Sequence, residues 1–295
     1  MDATLLLELA INGVFVGLMY ALVAAGIVLI YKTSGIANLA QGALAMMGAY
    51  FVWIACSLAG LPMWAGAPLA CLAMFGVGTL IERLAMRRMI GQPLIMAIML
   101  TMGMEIMLRG VMPGFFGASV KKIDLGIPNA PIILGDILIN RTLLVGGSIS
   151  FAMIVGAILF FNSKLGVVMR AVSDDQMASW SVGVRVERAI AIAWGLSAVM
   201  ATTAGVLWGA TQGVDWSLSL LLIKALAIAI LGGLDSIPGV LLAGVIVGVI
   251  ENLATGVIDP MIGGGSREVV ASAIILLTLL LRPHGLLGRE HIERV

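Results

Sequence analysis

The stretch LLLELAINGVFVGLMYALVAAGIVLI, from Leu5 to Ile30, decides the fold class, because it is almost wholly apolar and its one charged residue is Glu8. A helix needs about 20 such residues to cross a lipid bilayer, and this run is longer than that. The chain continues into YKTSGIANLAQGALAMMGAY, from Tyr31 to Tyr50, where the amides of Asn38 and Gln41 lie among three glycines. A membrane span is therefore followed by a segment that is rich in amides and interrupted by glycine. The role of this segment in a membrane protein is the question that the sequence raises.

The composition of the whole chain is typical of a polytopic membrane protein. Of its 295 residues, 61% are hydrophobic and 11% are charged, with a mean hydropathy of +1.11. A soluble domain has about 25% charged residues, so most of this surface must face something other than water. A net charge of +1 gives no reason to expect a nucleic-acid partner. The start MDATLLLELA lacks the basic flank of a cleaved signal peptide, so we expect it to begin the mature protein.

Apolar segments recur along the chain at lengths that suit a bilayer. They run approximately over Leu5–Ile30, Ile36–Leu58, Met63–Ile81, Pro93–Met112, Thr142–Phe161, Ala189–Thr211, Leu218–Leu231, Gly239–Ala254 and Val269–Leu281. We therefore predict an all-α bundle of about eight to ten transmembrane or re-entrant helices, with residues 1–295 forming one membrane domain. Small residues at helical spacing, such as Gly13 and Gly17 and later Gly244 and Gly248, predict close packing between helices.

Basic residues predict the orientation of this bundle. Short loops rich in lysine and arginine stay in the cytoplasm, and most of these residues fall in Glu82–Arg88, Asn162–Arg188 and the tail from Arg282. We place these three parts inside, which puts the N-terminus outside and the C-terminus in the cytoplasm. The loop of about Pro113–Arg141 then lies on the outer, periplasmic side, although it carries two adjacent lysines.

The side chains needed for catalysis are missing from the apolar segments. Both histidines, His284 and His291, lie in the tail, so no histidine is available inside the bundle to pair with a serine or bind a metal. The HExxH and GxSxG motifs are absent, and Cys56 and Cys71 have no neighbours at metal-binding spacing. We therefore predict no catalytic residues, no metal and no cofactor. The phosphate-binding motif GxxxxGK[ST] is also absent, so any ATP must be bound by another subunit.

Three charged residues lie deep in apolar segments, which is few for a proton-driven pump. Glu105 has Arg109 four residues later, and we expect the two to pair near the outer end of their segment. Lys224 and Glu251 lie on consecutive segments joined by GGLDSIPG, and two interpretations stay open for them. They form an ion pair across the hairpin, or each reaches toward the membrane surface by itself.

The polar stretch within Asn162–Arg188 has the shape of a docking element. Its core, LGVVMRAVSDDQMASWSVGV, has helix-forming residues, the acidic pair of Asp174 and Asp175 near an expected helix start, and a glycine stop at Gly183. It is too polar to span a membrane and too short to form a domain. It is either a short amphipathic helix on which another subunit docks, or an ordinary helix at the membrane surface.

Four blocks of the sequence resemble the permease subunits of bacterial ABC importers for branched-chain amino acids, a family with relatives for urea, short amides and other small polar solutes. The opening block has the family's Asn-x-Ala-His/Gln-Gly core as Asn38, Ala40, Gln41 and Gly42. The cytoplasmic block LGVVMRAVSDDQMASWSVGV, the glycine-rich block KALAIAILGGLDSIPGVLLAGVIVGVIE and the closing signature LRPHGLLGR follow in the family's order. Ala43, Met177 and Asp235 stand where the family commonly has an acid, Glu and Gly.

The resemblance implies a fold of the type II importer class, a set of partners and a place in the bacterial inner membrane. Two ATPase subunits would bind the cytoplasmic face, and a periplasmic solute-binding protein would bind the opposite face. A second permease chain, different or identical, would lie beside this one. ATP bound and hydrolysed by the partners would switch the pathway between outward and inward access. The competing interpretation is an ion- or proton-coupled secondary transporter.

Three groups of residues are candidates for function. For the substrate pathway we predict Asn38 and Gln41, with backbone freed near Gly35 and Gly42, because such amides share a helix face and offer hydrogen bonds without charge. The alternative is that these amides clamp neighbouring helices together. For ATPase coupling the resemblance implies Arg170, Asp174, Asp175, Ala178 and Gly183. For structure and gating it implies Lys224, Gly232, Gly233, Ser236, Pro238 and Glu251.

Overall fold

The computed structural model describes residues 3–89, 91–128, 130–135, 137–282 and 285–288, and within these ranges the chain is mainly α-helical. Met1, Pro283 of the closing signature and both histidines of the tail lie outside the described residues. The helices are α1 (Ala3–Ser34), α2 (Gln41–Trp53), α3 (Met63–Leu84), α4 (Leu94–Phe116), α5 (Arg141–Phe161), α6 (Lys164–Asp174), α7 (Gln176–Ser181), α8 (Val186–Gln212), α9 (Leu221–Gly232), α10 (Ile237–Val257), α11 (Asp259–Ile262) and α12 (Ser266–Leu281).

Short elements extend or join these helices. A π-helical turn at Ile54–Leu58 lengthens α2, and 3-10 turns at Met86–Met89 and Trp216–Leu220 follow α3 and precede α9. A small antiparallel hairpin of β1 (Ile132–Leu134) and β2 (Ile137–Ile139) leads into α5.

Seven of the described helices, with their short extensions, are long and apolar enough to cross a membrane. They cover Thr4–Ser34, Gln41–Leu58, Met63–Met89, Leu94–Phe116, Arg141–Phe161, Val186–Gln212 and Ile237–Val257. A shorter apolar stretch covers Trp216–Gly232, and α12 is 16 residues long. Each of the nine apolar segments predicted from the sequence therefore contains a helix, and the all-α polytopic class is confirmed. Two of the nine are too short to count as full spans by themselves.

Helix α1 forms the centre of the bundle because its inner half is apolar on every side. Every residue from Met19 to Ile30 is buried, and α5, α8, α9 and α10 pack around them. A helix at the surface would bury only one stripe and show a polar face. The absence of such a face in the sequence of α1 therefore explains its central position.

Glycines allow α1 and α10 to approach each other closely. A Cβ atom on Gly17 would lie 2.2 Å from the carbonyl oxygen of Gly244, and one on Gly248 would lie 2.4 Å from that of Gly13. Neither glycine accepts a larger residue unless a backbone moves. Lipid tails are as apolar as the helices, so close packing of this kind supplies much of the attraction between membrane helices. The predicted stripe of small residues is confirmed as the seam between α1 and α10.

The two ends of the bundle differ in charge. At the basic end, as we call it, the ends of α1 and α3, the short helix α7 and the start of α8 surround one cavity. The tail reaches the same end, where Leu286 donates its N–H to the carbonyl of Leu231 at 2.7 Å. At the opposite end, Lys121 and Val214 exchange backbone hydrogen bonds, and Asn12 donates to the carbonyl of Leu138 at 3.1 Å. The three basic segments therefore lie together, and the long loop lies at the other end.

Candidate functional site

The link between α1 and α2 turns back into the bundle. Helix α1 ends at Ser34, Gly35 has a φ of +70°, and the chain stays non-helical until α2 begins at Gln41. The side chain of Gln41 contacts Ser197 and Gly26. Gly26 lies about two turns before the end of α1 and Ser197 about three turns into α8, so α2 starts well inside the bundle.

This geometry corrects part of the sequence prediction. The second apolar segment was expected to begin at Ile36, but its helix begins at Gln41, because the chain first has to return from the end of α1. The backbone is freed at Gly35 as predicted, whereas Gly42 lies in the first turn of α2. A Cβ on Gly42 would lie 2.0 Å from the carbonyl oxygen of Ser219, so glycine is required there for close packing.

Asn38, Gln41 and Ser197 form a buried cluster, here called the amide cluster, and all three are 0% exposed. Asn38 donates to Oε1 of Gln41 at 3.1 Å and accepts from the N–H of Ala40 at 2.9 Å. The amide group of Gln41 donates to the carbonyl of Ser197 at 3.3 Å, and the Ser197 hydroxyl lies 3.0 Å from Oε1 of Gln41. The same hydroxyl lies 2.8 Å from the carbonyl oxygen of Gly26. The cluster therefore ties the start of α2 to both α1 and α8.

A cavity of about 210 Å³ opens beside this turn at the basic end. Its wall includes Gly35 and Ile36 of the link, Trp194 of α8 and Gln176 of α7, and no member of the amide cluster lines it. Trp194 is fully buried, and its indole N–H has no hydrogen-bond partner within the described residues. The cavity lies directly next to the non-helical link.

An ion pair between a buried acid and an exposed arginine also faces this cavity. Glu82 is 0% exposed and accepts two hydrogen bonds from the guanidinium of Arg87, at 3.2 and 3.0 Å. Both residues line the cavity together with apolar side chains such as those of Met86 and Leu94. Sequence reasoning used this segment only as a source of positive charge and missed the buried acid. The single acid inside the basic run ERLAMRR was the available signal.

The predicted coupling segment folds as two helices. Asp175 breaks the helix and caps the start of α7, because its carboxylate accepts from the N–H of Ala178 at 2.9 Å. Gly183, with a φ of +85°, follows the end of α7. The expected helix start at the acidic pair and the glycine stop are confirmed, whereas the preceding helix α6 was not anticipated as a separate element. Arg170 donates to the backbone carbonyl of Phe161 and so ties α6 to the end of α5.

Helix α7 presents two different surfaces. Gln176 lines the cavity on one side, while Met177, Trp180 and Val182 in and just after α7 are 71%, 57% and 79% exposed. These large apolar side chains form an exposed patch on an otherwise polar segment. The segment of α7 therefore contributes both to the cavity wall and to the exposed surface of the protein.

Lys224 and Glu251 form an ion pair between α9 and α10, which settles the two interpretations in favour of pairing. The ammonium group of Lys224 also lies 3.1 Å from the hydroxyl of Tyr20 on α1, and that hydroxyl donates to Glu251 at 3.3 Å. The carboxylate of Glu251 is 1% exposed, and Arg267 of α12 lies 3.8 Å from it. We call these residues the charged cluster, and they join four helices.

The glycine-rich hairpin below this cluster is shaped by close contacts. A Cβ on Gly239 would lie 2.0 Å from the carbonyl oxygen of Gly232, and Gly233 has a φ of +100°, which suits glycine. The hydroxyl of Ser236 accepts from the N–H of Gly239 at 3.1 Å and caps α10, with Pro238 in the first turn. These residues hold the α9–α10 turn.

The pairing of Glu105 with Arg109 is confirmed, with a hydrogen bond of 2.9 Å. Its expected position was wrong, because α4 extends to Phe116 and Glu105 lies at the middle of the helix instead of near its outer end. No group of three or more His, Cys, Asp or Glu side chains among the described residues is placed to hold a metal ion.

Comparisons with known proteins show the family of the chain. A family described as "Branched-chain amino acid transport system / permease component" matches residues 9–281. The chain is 31% identical to the high-affinity branched-chain amino acid transport system permease protein BraD of Pseudomonas aeruginosa, with 98% of each chain covered. It is 30% identical to the permease protein LivH of Escherichia coli strain K12, covering 98% of this chain and 97% of that one.

More distant matches are of two kinds. A probable branched-chain amino acid transport permease protein LivH of Methanocaldococcus jannaschii is 28% identical, with 90% of this chain and 88% of that chain covered. Among solved structures, a chain of PsaBC from Streptococcus pneumoniae in complex with Fab covers 92% of this chain at 16% identity and a TM-score of 0.45.

Proposed function

The chain belongs to the family of branched-chain amino acid transport permeases, and on that premise we propose that it is the membrane-spanning subunit of an ATP-driven importer. Its cargo is a branched-chain amino acid or a similarly small polar solute. One observation carries the proposal most directly. The non-helical link at Gly35 and Ile36 borders a cavity of about 210 Å³ whose wall includes Gln176 of the exposed helix α7.

This arrangement provides a route that a partner can control. Non-helical backbone at membrane depth is tolerated where it is enclosed by protein or lines a wet cavity, and the link at Gly35 meets that condition. The amide cluster lies next along the chain, with every side chain in it buried. We assign Asn38 and Gln41 to the wall of the route, closed in this conformation and exposed to solute when α2 separates from α8.

ATP hydrolysis is assigned to partner subunits because the chain has no phosphate-binding motif. Two such subunits would dock on α6 and α7 and would bury the apolar side chains that are exposed there. A solute-binding protein would dock at the opposite end, and a second permease chain would complete a complex of the type II importer class. The excess of basic residues supports our assignment of the basic end to the cytoplasm, and the inner membrane is the location that we propose for the bundle.

Transport in reconstituted vesicles tests the function. The chain, purified with its ATPase subunits and solute-binding protein, should accumulate radiolabelled leucine when ATP is supplied. Inactivating the ATPase subunits should abolish accumulation, and competition by isoleucine, valine, urea and a short amide should identify the solute class. Uptake that survives the inactivated ATPase but collapses with the proton gradient would instead establish a secondary transporter.

Single cysteines test the orientation and the cavity together. With Cys56 and Cys71 replaced by Ala, Ile36→Cys in the cavity wall should react with a membrane-impermeant maleimide only from the cytoplasmic side. Val120→Cys in the opposite loop, where the side chain is 55% exposed, is the matched control and should react only from outside. The reverse pattern of labelling would overturn the proposed topology.

The cap of α7 tests the coupling role. Asp175→Ala removes the hydrogen bond to the N–H of Ala178, which costs about 1 kcal/mol at a helix start and loosens α7. We expect solute-stimulated ATP hydrolysis by the assembled complex to fall several-fold. Asp175→Asn keeps the cap and should keep most of the stimulation. If both variants lost stimulation equally, the charge rather than the cap would be responsible, and if neither did, the coupling assignment would be wrong.

A further inference from the structure

A second and larger opening lies at the basic end, between the end of α3 and the start of α8. Its volume is about 570 Å³, and arginines from both helices line it: Arg83 and Arg87 from α3 and the turn after it, and Arg185 and Arg188 from the start of α8. This crevice is separate from the candidate solute cavity in most of its wall, although Glu82 and Arg87 contribute to both. Nothing in the proposed transport route uses Arg83, Arg185 or Arg188.

The crevice carries unbalanced positive charge. Glu82 is buried and already paired with Arg87, which leaves Glu187 as the one other acid in the lining. The remaining arginines, Arg83, Arg185 and Arg188, are exposed and make no salt bridge within 4 Å to any acid among the described residues. Three exposed guanidinium groups without a salt bridge in the described part of the chain therefore surround one concave surface. Guanidinium groups bind phosphate with well-directed hydrogen bonds.

The crevice continues into the membrane-spanning part of α3. Leu69, Leu72, Ala73, Gly76 and Leu80 are exposed at helical spacing, and the same face of the helix reaches Arg83. Gly76 and Leu80 also line the crevice. A Cβ on Gly76 would meet nothing within 4 Å, so the space beside the helix is open at this point. An exposed apolar helix face that ends at a group of arginines matches the polarity of a phospholipid, whose apolar tails adjoin a charged headgroup.

We propose that this crevice is a binding site for one anionic phospholipid of the adjoining leaflet, whose phosphate is held by Arg83, Arg185 and Arg188 and whose acyl chain lies along α3 past Gly76. The membrane-depth half of the site favours a lipid over an acidic protein, because a soluble partner cannot reach Gly76. Basic pockets between membrane helices are a known way to recognise anionic headgroups. A bound lipid would fill the gap between α3 and α8 beside the ion pair of Glu82 and Arg87.

Native mass spectrometry of the purified full-length chain, with phosphatidylglycerol and phosphatidylcholine offered in turn, tests the proposal. The native chain should retain one phosphatidylglycerol with roughly tenfold preference over phosphatidylcholine, since each arginine near the surface adds to the attraction. The triple variant R83Q/R185Q/R188Q should bring the preference to within about twofold of unity. The control K121Q/K122Q/R141Q removes as many positive charges at the opposite end and should keep the full preference.

Two further arms separate the sources of the phosphate and guard against misfolding. Gly76→Phe fills the open space beside Gly76 without removing charge, and it should also lower retention of phosphatidylglycerol several-fold while leaving thermal unfolding in neutral detergent unchanged. Inorganic phosphate at millimolar concentration should not displace the lipid. Displacement by phosphate, or full retention in Gly76→Phe, would show a free-anion site and overturn the proposal. Equal preference in the native chain and the triple variant would overturn it as well.

Discussion

Two polar clusters are buried in the same apolar bundle, and they hold it together in different ways. The amide cluster is neutral. Asn38, Gln41 and Ser197 each have more than one polar group that can form a hydrogen bond, so no single bond holds the cluster. The charged cluster joins Lys224 and Glu251, and one carboxylate oxygen of Glu251 has no hydrogen-bond partner among the described residues. Opening the amide cluster breaks hydrogen bonds between neutral groups, whereas opening the charged cluster leaves an unpaired charge in an apolar interior. We therefore expect the amide cluster to move during transport and the charged cluster to stay closed.

The largest expected effect is that of Lys224→Met. This change leaves the carboxylate of Glu251 buried without its main cation, and breaking a buried pair in this way costs roughly 3–5 kcal/mol. Thermal unfolding of the purified chain in detergent should show a large loss of stability. The double variant Lys224→Met with Glu251→Leu removes both charges and should recover most of the loss. Equal instability of the single and double variants would mean that packing, and not charge, is what these residues contribute.

A smaller effect on stability, with a larger effect on transport, is expected for Gln41→Leu. It removes the bonds to Asn38 and Ser197, at a cost of about 1–2 kcal/mol. Uptake per folded molecule should fall several-fold, because the polar wall of the route is lost. Ser197→Ala is the matched control, since it weakens the cluster from the side of α8 and should lower stability but leave uptake per folded molecule nearly unchanged. If both variants reduced uptake only in proportion to folded protein, the amide cluster would be a clamp and no part of the route.

The smallest effect is expected for Arg267→Gln. The guanidinium of Arg267 lies 3.8 Å from Glu251, and the side chain is 44% exposed. Water screens a pair of this kind, so the change should alter the free energy of unfolding by less than about 0.5 kcal/mol. The same thermal assay checks it. A loss as large as that of Lys224→Met would show that Arg267, and not Lys224, is the cation that Glu251 depends on.

The parts of the fold that depend on interactions between residues close in sequence were predictable. Long apolar runs gave the helices, and glycines at helical spacing gave the seam at Gly17 and Gly244. Asp175 and Gly183 marked the two ends of α7. The start of α2 was misplaced for the opposite reason. An apolar residue such as Ile36 fits equally well in a helix and in a buried non-helical link, so the sequence pattern does not distinguish them.

The sequence by itself determined the class of the protein, its membrane spans and the residues that end its helices, because each of these depends on a local sum of hydrophobicity or on a local hydrogen bond. Tertiary structure alone decided which polar groups meet. Gln41 finds Ser197 from 156 positions away, and Glu82 is buried beside a cavity that residues of four different parts of the chain enclose. A serine or a glutamate in an apolar or basic run looks the same whether its partner is water or another helix. Packing therefore explains the glycine-interrupted stretch after α1. This stretch lets α2 begin inside the bundle, where hydrogen bonds between neutral amides, and no ion pair, hold the start of the helix.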